Sequence, residues 1–100
     1  MIQNATCIRF HPKSTETSYV YIKRGAVGTG CYSFVGRHSS RPNIVNLQYN
    51  GCITRGIVAH ELLHALGFYH EQSRPDRDDY VYIVWSNVKP GKHTIIESSL

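Results

Sequence analysis

Long apolar runs are absent from this sequence of 100 residues, and none approaches the length of a membrane span. Charge of either sign is sparse, with 11 Lys+Arg against 7 Asp+Glu. The basic residues are scattered, without the Lys/Arg stripe or interleaved aromatics of a nucleic-acid surface, so no nucleic-acid partner is expected. Cysteine is limited to Cys7, Cys31 and Cys52, and no C-x-x-C pair occurs. That argues against a zinc knuckle or a thioredoxin-type redox centre, and the odd count suggests one disulfide and one leftover thiol. No internal repeat is visible, and no basic, apolar and small-residue series resembling a signal peptide precedes the first strand-like segment.

What is present is an ordinary globular composition, 41% hydrophobic and 18% charged. A single domain of this size buries roughly 60–65% of its unfolded surface, so its core is thin and a metal or disulfide would help it. The first half reads as short strands rich in β-branched and aromatic residues, at 7–10, 19–23, 31–35 and 44–49. The loop Gly25-Ala26-Val27-Gly28-Thr29-Gly30 gives G-x-x-G-x-G and is followed by strand-like residues. A phosphate loop should open a helix, so this is read as a plain turn. Asn50-Gly51 marks another turn.

A helix is expected from about 54 to 68, with Thr54 as N-cap. Ile57, Val58, Leu62, Leu63, Ala65, Leu66 and Phe68 cover most of its circumference, which implies a buried helix. Residues 74–79 read as charged loop, 80–85 as an apolar strand-like run, and 94–100 as too mixed to assign.

The chemistry concentrates in H-E-x-x-H-x-x-G-x-x-H, carried by His60, Glu61, His64, Gly67 and His70. Histidines four apart on a helix project from one face, so His60 and His64 can hold one ion. Glu61 lies beside them, placed to act on a water as general base and then general acid. Gly67 ends the helix without a Cβ penalty, which lets the chain return His70 to the same ion. Three neutral nitrogen ligands plus water describe an open, catalytic Zn2+ site for one ion. H-E-x-x-H alone arises by accident in about one per cent of chains this long, and Gly67 and His70 lower that by about 400-fold. The alternative of two satisfied core histidines fares poorly, because an apolar helix would bury two imidazoles and a carboxylate without evident partners. His11, His38 and His93 have no spacing partner and read as surface or structural, and Tyr69 as packing.

Residues 60–78 match H-E-x-x-H-x-x-G-F-x-H-E-x-x-R-x-D-R-D in full, through Glu71, Arg74, Asp76, Arg77 and Asp78. On this run the sequence resembles the astacin metallopeptidases within the metzincins. Thr6-Cys7-Ile8-Arg9-Phe10, Gly30-Cys31-Tyr32-Ser33, Val35-Gly36-Arg37 and Leu47-Gln48 with Gly51-Cys52 extend the likeness over nearly the whole chain. The resemblance implies an α+β fold: a metzincin (zincin-like) upper subdomain, with a mixed twisted β-sheet packed on the zinc-binding active-site helix. Residues 1–100 would be a partial astacin-like peptidase domain, truncated at both ends, with the methionine-containing turn and a tyrosine ligand lying beyond it.

The resemblance also carries roles onto matching positions. His60, His64 and His70 would bind zinc, and Glu61 would be catalytic. Gly67 and Glu71 would support the site, Glu71 by anchoring the mature N-terminus. Cys31 and Cys52 would form the short-range disulfide, and Cys7 would pair outside these residues. Residues 44–49 would form the cleft-edge strand, offering backbone groups to a protein or peptide substrate in extended conformation. The implied function is a secreted, zinc-dependent metalloendopeptidase that hydrolyses internal peptide bonds through a zinc-activated water and a Glu general base. The alternative is a truncated, catalytically inactive zinc-binding fragment or isoform.

Overall fold

β-branched and other apolar residues are frequent at 20–25 and 43–48, and both segments are strands in the computed structural model, which describes residues 1–92. The chain divides into two units, Met1–Phe68 and Tyr69–Leu100. The first unit contains a short helix α1 (Ile2–Ala5), strands β1 (Val20–Gly25), β2 (Cys31–Ser33) and β3 (Asn43–Gln48), and the helix α2 (Arg55–Ala65). The second contains three single-turn 3-10 helices at Glu71–Ser73, Arg77–Asp79 and Trp85–Asn87. His93 and the segment 94–100 lie outside the described residues.

The sheet is mixed, in the order β1-β3-β2. β1 runs parallel to β3, pairing Val20 with Asn43 through Gly25 with Gln48, and β2 runs antiparallel, pairing Cys31 with Leu47. β3 is therefore the central strand, its backbone engaged on both sides, which corrects the expectation that 44–49 form a cleft edge. Among the described residues the edges of this sheet are β1 and β2. Centrality also explains why β3 is the most buried strand: Val45 is 0% exposed and Leu47 and Asn46 are buried beside it.

The turn reading of 25–30 is upheld, and the reason is specific. The side-chain oxygen of Gln48 accepts from the N–H groups of Gly28 and Gly30, each at 3.0 Å. The Asn46 amide donates to Gly30 O at 2.9 Å and Thr29 Oγ1 at 3.1 Å. The N–H groups of Gly28 and Gly30 are thus engaged by β3 and not held out for a phosphate.

α2 begins where the sequence places it. Thr54 is extended, and its hydroxyl accepts from the N–H of Ile57 at 3.3 Å. The helix packs against β2 and β3 along one stripe. Ala65 joins Val45, Leu47 and Cys52 in the core, with Cys31, Ile57, Val58 and Leu62 packed around them. The expectation of burial all round does not hold, since Leu63 and Leu66 are exposed. A three-stranded sheet is one layer and covers one side of a helix. Cys31 and Cys52 are joined by a disulfide with Cα atoms 5.7 Å apart, tying β2 to the residue two before the N-cap.

Two strand expectations fail. Residues 7–10 form no strand. Instead the Thr6 hydroxyl bonds Ile2 O and Ile8 N, and Arg9 Nη1 donates to the carbonyls of Gln3, Thr6 and Ile8. Local side-chain bonds there replace a ladder. Residues 80–85 also form no strand, and Tyr82 is 89% exposed. β-formers need a neighbouring strand to pair with, and among the described residues none lies beside them.

Candidate metal centre

The stripe of α2 that faces the sheet runs through Ile57, Val58, Glu61, Leu62 and Ala65. His60 and His64 sit one position round from it, on adjacent turns of one face. Their Nε2 atoms are 3.0 Å apart and their rings meet edge to face. Two nitrogens on a tetrahedral zinc at 2.0–2.1 Å would be about 3.3 Å apart, so this pair fits the ion with a shift of tenths of an ångström. Nδ1 of His64 donates to the carbonyl of Phe68 at 2.7 Å. In a neutral ring that leaves the Nε2 lone pair facing His60, the tautomer a metal ligand needs.

Glu61, between the two histidines on α2, is 6% exposed. A buried carboxylate costs free energy unless it is paired, and on this helix it adjoins His60 in sequence. Gly67 has φ +113°, the left-handed region that favours glycine. Its N–H donates to His64 O at 2.9 Å and the N–H of Phe68 to Leu63 O at 3.1 Å, closing the helix and setting the Phe68 carbonyl that holds the His64 ring.

The structure brings together His60, His64, Glu61 and Gly67 in the first unit. His70 belongs to the second, as the N-cap of the turn Glu71–Ser73. Glu71, expected to anchor the mature N-terminus, follows it in this turn. It is 74% exposed and accepts from Arg74 Nη1 at 3.1 Å. Arg74 also binds Asp76 through both Nε and Nη2, and Asp76 first, Glu71 second, push its guanidinium pKa further up. Arg77 is buried, donates to Gln72 O at 2.8 Å and lies over the Trp85 ring. The R-x-D-R-D run is thus an ion-pair frame around the turns of this unit. Tyr69, expected to pack, is exposed, as are His11, His38 and the free Cys7. Among the described residues no helix is long and apolar enough to cross a membrane.

A mixed sheet laid on a helix that presents paired histidines and a neighbouring carboxylate is the arrangement expected of a helix-borne site of the H-E-x-x-H class. Comparison with known proteins narrows that class. The model of the peptidase family described as Astacin matches residues 1–98. Zinc metalloproteinase nas-14 of Caenorhabditis elegans is 51% identical over 87 residues, covering 86% of this chain and 17% of its own length. Meprin A subunit beta of Mus musculus is 48% identical over 87 residues, covering 87% of this chain and 12% of its own. A solved structure of high choriolytic enzyme 1, a hatching enzyme zinc-protease from Oryzias latipes, superposes with a TM-score of 0.81. It shares 39% identity over 97% of this chain and 46% of that one. The chain belongs to the astacin family, as its H-E-x-x-H-x-x-G-F-x-H-E run implies, and spans less than a fifth of the length of the two curated relatives just named.

Proposed function

We propose that this chain carries the zinc-binding and general-base half of a metalloendopeptidase, with His60, His64 and His70 as ligands and Glu61 as catalytic base. The observation that carries the reading is the 3.0 Å approach of the two Nε2 atoms on a helix that also carries the buried Glu61. His70 enters from the motif, three residues after the glycine that turns the chain out of α2.

Zinc, when bound, supplies a Lewis acid that acidifies water and polarises the scissile carbonyl. The carboxylate of Glu61 takes the water's proton as the C–O bond forms, then returns it to the amine as the C–N bond breaks. His64, whose Nδ1 is held by the Phe68 carbonyl, would offer its Nε2 lone pair to the ion. Gly67 supports this by fixing the helix exit. Glu71, paired with Arg74, supports the turn that follows His70.

The substrate is a protein or peptide bound in extended conformation. The edge that suits it is β2, not the central β3, because among the described residues β2 is paired on one side only, and it packs on α2. The Cys31–Cys52 bridge supports an extracellular setting, where disulfides persist.

The test is cleavage of an internally quenched peptide by the zinc-loaded chain and by its Glu61→Gln variant. The reading expects turnover in the wild type and a loss of at least about 100-fold in a variant that still binds zinc. Equal trace activity in both refutes the enzyme. Stoichiometric zinc with no turnover in either leaves the inactive zinc-binding reading in its place.

A further inference from the structure

We infer that Asn43, outside the metal motif, is a positioning residue for His64 and acts through the backbone of Gly36. The inference rests on the reading of His64 as a metal ligand. Asn43 opens β3 and is 5% exposed. Its Nδ2 donates to two carbonyls, Phe34 O at 2.9 Å and Gly36 O at 2.7 Å. Both belong to the loop that leaves β2. With two carbonyls opposite it, only the amide nitrogen can point this way, which fixes the side-chain assignment. Asn43 Oδ1 is buried with no donor among the described residues, so every side-chain bond this residue makes there is spent on the loop.

The loop is in turn bonded to the metal helix. Gly36 N–H donates to His64 O at 2.9 Å. That carbonyl lies in the last turn, where helix carbonyls run out of donors, and the residue four further on, Phe68, donates to Leu63 instead. Gly36 has φ +80°, and a Cβ at that position would lie 4.0 Å from the Cα of Gly67. The loop therefore sits against the glycine turn that orients the Phe68 carbonyl, and so the His64 ring. His64 is held at three points: its carbonyl by Gly36 and Gly67, its ring by Phe68. Asn43 fixes the Gly36 arm from behind.

Asn46 is the internal control. It lies on the same strand, is 1% exposed, and donates to Thr29 Oγ1 and Gly30 O, in the loop between β1 and β2 and not in the Gly36 loop. Asn43→Asp keeps the shape but sets a carboxylate against two carbonyls. Asn46→Ala removes equally buried bonds without touching the Gly36 arm.

The experiment is metal titration of the full chain with zinc and with cobalt(II), alongside urea unfolding. Asn43→Asp should weaken zinc by about 10- to 100-fold, the range for partners that orient a ligand, and alter the visible cobalt spectrum. Asn46→Ala should lower the urea midpoint while leaving zinc affinity and the cobalt spectrum as in the wild type. Wild-type affinity and spectrum in Asn43→Asp, or equal losses in both variants, overturn the inference. If Asn43→Asp does not fold, the wild type decides by NMR. Zinc should shift the Gly36 amide and the Asn43 side-chain amide but not that of Asn46, and unshifted Gly36 and Asn43 signals overturn the inference. A wild type that binds neither metal refutes the ligand reading and this inference with it. A wild type that binds, with an indistinguishable Asn43→Asp, refutes only the role of Asn43.

Discussion

Reducing the Cys31–Cys52 bridge should destabilise the chain by about 3 kcal/mol. The bridge closes a loop with a sequence separation of 21. Opening it returns to the unfolded chain the entropy of closing such a loop, which at 25 °C is worth about 3 kcal/mol in the chain-entropy model. In the folded chain little else changes, because Cys52 is 1% exposed and its thiol, like the disulfide, is a small apolar group among Val45, Leu47 and Ala65. For a domain this small, each kcal/mol moves the melting temperature by about 4–8 °C, so a fall of about 12–24 °C is expected. The assay is urea unfolding followed by far-UV circular dichroism, with and without a phosphine reductant. The m-value should rise on reduction, because an uncrosslinked unfolded chain exposes more surface. A stability difference below about 1 kcal/mol would refute the loop-entropy reasoning. The bridge also anchors the entry to α2, two residues before its cap, so reduction should weaken zinc binding in the same titration.

Thr54→Ala should cost about 1 kcal/mol in urea unfolding by removing the acceptor for the Ile57 N–H, and Thr54→Ser should restore most of it. Gly67→Ala should cost about 1–2 kcal/mol, because an L side chain is strained at φ +113°. It should weaken zinc as well, since the same turn places the carbonyl that orients His64; full affinity in this variant would contradict that role. Glu16 should titrate below an ordinary glutamate, because the N–H of Ser14 donates to its carboxylate at 2.7 Å. Its folded pKa is depressed, so its small contribution to stability is present above the unfolded carboxylate value and lost as pH falls through the folded one. An NMR titration midpoint at or above that of a model peptide would contradict this.

The elements that carry their own pattern are legible in the amino-acid sequence. β1, β2 and β3 fall on the β-branched and aromatic segments at 19–23, 31–35 and 44–49, and α2 starts at its Thr54 cap. His60, Glu61, His64 and Gly67 sit where 3.6-residue periodicity and a left-handed glycine place them. What depends on distant neighbours is not legible there. The order β1-β3-β2 makes β3 central, a fact of topology that no strand encodes in its own residues. Residues 7–10 and 80–85 have the composition of strands but lack a partner among the described residues, and local hydrogen bonds or exposure take over. The apolar circumference of α2 overstates its burial, because hydrophobicity does not say how many layers will cover it. Asn43 and Gly36 have no motif of their own. Their link to His64 appears only when the loop after β2 is seen against the helix exit, although Gly36 lies in the Val35-Gly36-Arg37 stretch that carries part of the family likeness.

X-ray absorption at the zinc edge of the loaded chain tests the central claim most directly. The account predicts three imidazole nitrogens and one further oxygen at about 2.0–2.1 Å, with no sulfur, the open coordination of a hydrolytic site built by His60, His64 and His70. A sulfur scatterer at about 2.3 Å, which the free Cys7 could supply, or a shell with only two imidazoles, would contradict it.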